Sequence, residues 1–265
     1  MPYADLNGTR MHYTDTEGTG DTIVFAHGLL FSGAMFDAQI AHFRGKYRCI
    51  TFDHRGQGHS GVPDDGYDMD TLAEDAAALI KQLGLGPCHF VGLSMGGFVG
   101  MRLAARHPDL LKSLTLLDTS ADPEPSENIP KYRLLNFVAR WIGLGAVIGR
   151  VMPILFGQTF LTDPARDAEK KSWVKAIVGN DRIGITRAVS GVITRDGCAD
   201  LLDQIKMPVS IGVGAEDLAT IPSNSEAIQA AITGSQLTVF EGAGHSASIE
   251  TPDQVNTLIT QTIER

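Results

Sequence analysis

Three largely apolar runs of strand length, Ile23-Val24-Phe25-Ala26, Tyr47 to Phe52 and His89-Phe90-Val91, alternate with longer helical patterns in the first half of the chain. Strands lacking a polar face must be covered on both sides. Such strands separated by helix-length segments indicate a parallel sheet with helices on both faces, an α/β fold. Ala34 to Phe43 follows a Ser32-Gly33 start, and Met69 to Leu83 runs from an acidic opening to Gly84, where glycine can end the last turn.

After Ser94 a helix of small residues runs to about His107 and is broken by Pro108; Ser113 to Leu117 returns as a buried strand. The rhythm then changes. Residues from about Asp122 to Asp200 hold helical patterns and no convincing strand: Tyr132 to Ile142, a segment opened by Asp163-Pro164, and Ile183 to Thr194. Strand and helix alternate again through Pro208 to Val213, Ser223 to Ile232, Gln236 to Phe240 and a helix after Pro252. The expected organisation is a core domain of residues 1–121 and 201–265, interrupted by a helical lid over residues 122–200.

The formal net charge of −9 and the absence of a Lys/Arg-rich run argue against nucleic acid or an anionic membrane as partner. Met-Pro-Tyr-Ala-Asp-Leu-Asn-Gly has neither the basic head nor the apolar region of a leader, and no stretch is long and uncharged enough to span a bilayer, so a soluble, cytoplasmic protein is expected. Cys49, Cys88 and Cys198 are odd in number and unpatterned, which fits neither a zinc site nor a disulfide framework. Oligomeric state is not readable.

Gly92-Leu93-Ser94-Met95-Gly96 stands between a strand and a helix, the setting of a nucleophile elbow. The glycines let two backbones approach while the serine is held on a sharp, strained turn. A serine hydroxyl needs a base to accept its proton, and the base needs a group to hold its tautomer. His245, after Gly242-Ala243-Gly244, and Asp217, after Gly214-Ala215-Glu216, each follow a predicted strand, where ligands bind in open α/β sheets. Asp118 competes with Asp217 for the acid role; Asp217 is preferred for its glycine-rich turn and position. A turn at His27-Gly28-Leu29-Leu30 would aim a backbone N–H above Ser94, so Leu29 and Met95 are assigned as N–H donors of an oxyanion hole. His27 is read as a strut, and Asp53 to Ser60 as a structural loop fixed by Asp53 and Arg55.

These segments, His27 to Leu30, Asp53 to Ser60, Gly92 to Gly97 and the pair Asp217 with His245, span almost the whole chain and strongly resemble the α/β-hydrolase fold, in its branch with a lid after the sixth strand. The resemblance implies a mostly parallel eight-stranded sheet flanked by helices, and the chain order Ser, Asp, His matches that fold. Within it, the sequence looks like a group of enol-lactone hydrolases, carboxylesterases and carbon–carbon bond hydrolases. Serine at position 94 separates it from haloalkane dehalogenases and epoxide hydrolases, which place Asp there. The loop lacks the proline that perhydrolases often carry after His-Gly, which counts against perhydrolysis.

The expected function is a serine hydrolase (esterase or lactonase) acting on a small-molecule ester or lactone through the triad Ser94, Asp217 and His245, with no metal or organic cofactor. Alternatives are a carbon–carbon hydrolase of ring-cleavage diketones, and a slow-turnover ligand receptor. The insertion carries a large apolar set, Leu134, Phe137, Trp141, Ile142, Val151, Met152, Leu155 and Phe156. Phe137, Trp141, Met152 and Leu155 are the candidate pocket residues. Of Arg133, Arg140, Arg150, Arg187 and Arg195, one turned inward could pair with a substrate carboxylate, as an enol-lactone of a dicarboxylic acid would need.

Overall fold

The computed structural model describes residues 2–265. Its strands are β1 (Tyr3–Leu6), β2 (Thr9–Asp15), β3 (Thr22–Ala26), β4 (Arg48–Phe52), β5 (Cys88–Leu93), β6 (Leu111–Leu117), β7 (Val209–Gly214) and β8 (Gln236–Phe240). They form one eight-stranded sheet in the order β1-β2-β4-β3-β5-β6-β7-β8. β3 to β8 pair in parallel, while β2 is antiparallel to β4 and β1 to β2. The chain leaves β3 for β4 on one side and then crosses to β5 on the other. Loops leaving the carboxyl ends of β3 and β5 therefore part in opposite directions, and a crevice opens between them.

Helices α1 (Asp37–Phe43), α2 (Met69–Gln82) and α3 (Met95–Arg106) alternate with the first parallel strands. Between β6 and β7 come α4 (Ile129–Trp141), α5 (Ile148–Leu155), α6 (Gln158–Thr162), α7 (Asp167–Val178) and α8 (Arg182–Ile193). The chain closes with α9 (Pro222–Ala231), α10 (Ala247–Glu250) and α11 (Pro252–Ile263). Several starts are set by side-chain caps. Asp68 accepts the Thr71 N–H at the head of α2, and Asp181 accepts those of Ile183 and Gly184 at the head of α8.

Every residue of β3, β5 and β7 is buried, as their apolar composition requires. One apolar cluster lies under α2 and α3, with Phe90, Leu114 and Leu116. A second, holding Phe25, Leu93 and Phe240, continues into the insertion through Ala139, Leu155, Phe156 and Ile185. Phe31, after β3, seals this junction edge-on against Trp173 at 5.6 Å and Phe156 at 6.1 Å.

The sequence reading did not locate the β1–β2 hairpin, because its strands alternate buried and exposed residues instead of forming apolar runs. The three cysteines are free and buried; burial pushes the Cys49 thiol up to about 11 and that of Cys88 up to about 12. Among the described residues, no helix is long and apolar enough to cross a membrane.

Candidate active site

Ser94 lies between β5 and α3 with φ 52° and ψ −111°, a left-handed backbone that a non-glycine residue holds only under constraint. Its neighbours explain how the turn is tolerated. A Cβ on Gly92 would strike the Gly96 carbonyl, and one on Gly96 would strike the Ala26 carbonyl at the end of β3. Both positions must be glycine for strand, turn and helix to close. Although Ser94 occupies the N-cap position of α3, its side chain makes no capping bond. Its Oγ instead lies 2.8 Å from His245 Nε2.

His245 stands in the loop after β8, its Nδ1 2.9 Å from Asp217 Oδ2. Asp217 follows β7, where the Ala219 and Thr220 N–H groups donate to its Oδ1 and the Thr220 hydroxyl donates to Oδ2. With Oδ2 facing Nδ1, the imidazole carries its proton on Nδ1 and presents a bare Nε2 to the serine. Burial lowers the His245 pKa, but the charge and hydrogen bond of Asp217, with smaller contributions from Asp118 and Glu250, hold it above its ordinary value.

Asp118 makes no hydrogen bond to His245. It is fully buried, and its carboxylate accepts the Gly214 N–H at 2.8 Å and the Ala247 N–H at 3.1 Å. Burial, reinforced by the charge of Asp217, holds its pKa well above the carboxylate range.

The loop after β3 passes above Ser94. Neither the Leu29 nor the Met95 N–H is paired within the chain among the described residues, leaving both available as donors at the crevice. Leu30, at φ 76°, is held by its N–H donating to Gln57 Oε1 at 2.8 Å. His27 is the strut expected. Its Nε2 accepts the His54 N–H at 2.9 Å, so its proton is on Nδ1, 2.7 Å from the Gly28 carbonyl. Burial lowers its pKa against the opposing charge of Asp53, consistent with a neutral ring. Asp53 accepts the N–H groups of Gly33 and His59, and Arg55 forms a buried two-pronged pair with Asp75.

Above Ser94 and His245 lies a cavity of about 150 Å³, lined mainly by apolar side chains of the insertion and of the loop after β3. Leu155 lines it, beside Val151 and Ile185. Met152 is buried in the adjoining cluster instead. Phe137 and Trp141 correct the sequence reading: they are 61% and 69% exposed and border an outer groove between α4 and α8. The inward face of α4 carries Tyr132, Leu135, Asn136 and Ala139. Of the five arginines considered, Arg195 reaches the cavity and pairs there with Glu124 at 2.8 Å.

Three side chains escaped sequence reading: Gln57, Thr220 and Glu250. Glu250 is buried and accepts the Ser246 and Gly157 N–H groups, joining the histidine loop to the insertion. No local motif announces it. His12, Asp53 and His59 bring ligand-type atoms within 4.8 Å of one another. Hydrogen bonds account for that cluster, since Asp53 Oδ2 faces His12 Nδ1 and accepts the His59 N–H, both at 2.9 Å.

The family profile for the alpha/beta hydrolase fold matches residues 21–252. A 3-oxoadipate enol-lactonase of Acinetobacter baylyi is 27% identical over 243 residues, covering 92% of this chain and 88% of that protein. The solved enol-lactonase of Burkholderia xenovorans superposes with a TM-score of 0.92 at 27% identity over the full length of both chains. A thermophilic esterase of Thermogutta terrifontis gives 0.89 at 30% identity, covering 99% of this chain and 96% of that one. With a winding that opens its crevice beside Ser94, and a profile match from before β3 to the start of α11, this chain belongs to the α/β-hydrolase-fold family.

Proposed function

We propose that the protein is a serine hydrolase that cleaves carboxylic esters or lactones through an acyl-enzyme. The observation that carries this reading is the unbroken chain Ser94 Oγ, His245 Nε2, His245 Nδ1, Asp217 Oδ2, with contacts of 2.8 and 2.9 Å. Ser94 attacks the carbonyl carbon while His245 takes the hydroxyl proton, and Asp217 stabilises the imidazolium. The N–H groups of Leu29 and Met95 hold the oxyanion; in comparable sites one such donor contributes on the order of a hundred- to a thousandfold in turnover. His245 then protonates the departing alkoxide and removes a proton from the water that releases the acid. In a lactone the leaving hydroxyl remains tethered to the acyl chain. The cavity lined by Leu135, Val151 and Leu155 would receive an apolar part of the substrate.

The enol-lactonase and esterase relatives support the same reaction class. The test is steady-state hydrolysis of nitrophenyl esters of increasing acyl length beside a set of lactones. Turnover with a distinct length preference is expected. Absence of turnover on every member contradicts the proposal.

A further inference from the structure

From the charge arrangement of the cavity we infer that the enzyme selects uncharged substrates, and that Glu124 sets this preference by occupying the cation a substrate carboxylate would use. This rests on the hydrolase reading above and adds the substrate's charge class.

Glu124 and Arg195 are the only carboxylate and guanidinium side chains lining the cavity among the described residues, and no lysine lines it. Both are withdrawn from solvent, with side-chain exposures of 10% and 4%. Arg195 Nη1 donates to Glu124 Oε2 at 2.8 Å and to the Val192 carbonyl at 3.0 Å, and Nε donates to the Asp122 carbonyl at 3.1 Å. Its guanidinium stands 4.4 Å from the ring centre of Phe98, one helical turn along α3 from Ser94. Glu124 is fixed in turn, with Oε1 accepting from Asn128 Nδ2 at 3.1 Å.

The charge of Arg195 is thus already matched within the protein. A second carboxylate arriving beside it would leave one negative charge uncompensated among mainly apolar walls that solvate it poorly. The other four arginines offer no relief: Arg133, Arg140 and Arg187 border the outer groove, and Arg150 is exposed away from the cavity. Arg195 Nη2 makes no hydrogen bond within the chain among the described residues. It remains free to donate to an uncharged oxygen, such as a distal ester, ketone or amide carbonyl. The favoured substrate is therefore a neutral ester or lactone, with a hydrogen-bond acceptor on its far side.

The test compares two adipate esters of equal chain length, methyl nitrophenyl adipate and mono-nitrophenyl adipate, the second ending in a carboxylate. Their kcat/KM is measured on the wild type, and their equilibrium binding is measured calorimetrically on Ser94→Ala, which reads the cavity without turnover. The neutral diester should win by about tenfold or more in both assays. Glu124→Gln, which keeps an acceptor for Asn128 while freeing Arg195, should narrow or invert the ratio. Equal or stronger binding of the half-ester to Ser94→Ala overturns the inference, whether or not the Glu124 variant folds. So do failure of both esters to bind and an unchanged ratio in a folded Glu124→Gln protein. Preserved discrimination in binding without Ser94-dependent turnover would instead sink the hydrolase reading alone.

Discussion

The Asp118 carboxylate accepts the Gly214 N–H at 2.8 Å, tying the end of β6 to the end of β7 just ahead of Asp217. Its other oxygen reaches the Ala247 N–H, just beyond His245. A buried carboxylate at this place ties together the loops that carry Asp217 and His245 and makes no hydrogen bond to the imidazole. The two aspartates should respond differently to substitution. Asp217→Asn should cost about 10⁴-fold in kcat through loss of the tautomer and of imidazolium stabilisation. Asp118→Asn, which still accepts from Gly214, should keep most of the activity. Asp118→Ala leaves two buried donors unpaired and should cost about 2–4 kcal/mol of stability. Kinetics and denaturant unfolding of the three variants distinguish these roles.

In the proposed mechanism His245 must be neutral to accept the serine proton; its pKa is raised above the usual imidazole value by Asp217 acting against burial. The acid limb of kcat/KM against pH should therefore have its midpoint above the ordinary imidazole value of about 6.5. Activity is present above that midpoint and lost as pH falls through it. Removing the charge in Asp217→Asn lets burial dominate and should move the midpoint to lower pH. A shift upward in that variant would contradict the assignment of Asp217 as the group that raises His245.

The contacts of Gln57 make it a positioning residue for the proposed oxyanion loop. Its Oε1 takes the Leu30 N–H, and its Nε2 approaches Met95 Sδ at 3.7 Å, so it touches one proposed donor residue and the neighbour of the other. Gln57→Ala should lower kcat by up to about a hundredfold through misplacement of the Leu29 donor, with a smaller change in KM. An unchanged kcat would remove Gln57 from a positioning role.

Arg55 and Asp75 form a pair whose side chains are 3% and 0% exposed, at the junction of α2 with the loop after β4. Asp75→Ala strands a buried guanidinium and should destabilise the fold by about 3–5 kcal/mol. The pair makes no hydrogen bond to the proposed triad, so specific activity per folded molecule should change little. Urea unfolding combined with active-site titration separates the two effects.

The proposed site was more legible in sequence than its pocket. Ser94, Asp217 and His245 each follow a largely apolar strand and lie within three residues of a glycine, so their place at the carboxyl edge of a sheet could be read locally. Close approach explains those glycines: a Cβ on Gly244 would collide with Gly157 of the insertion, and one on Gly214 with the Ala243 and Gly244 carbonyls. By contrast, α4 carries apolar residues on more than one face. Leu134, Phe137 and Trp141, with Ile142 just past the helix end, point outward while Leu135 and Ala139 point inward, and bulk alone favoured the wrong set. Arg195 and Glu124 lie 71 positions apart, so no local pattern could pair them. Glu250 lies 93 positions from Gly157, and only the fold brings the two together.

The most direct test of the proposed mechanism is the kcat/KM of wild type and Ser94→Ala on one activated ester, with circular dichroism confirming that the variant folds. The account predicts a fall of roughly a millionfold in turnover with the fold intact. A folded Ser94→Ala protein that retained more than a small fraction of wild-type activity would contradict it, because the nucleophile would then lie elsewhere.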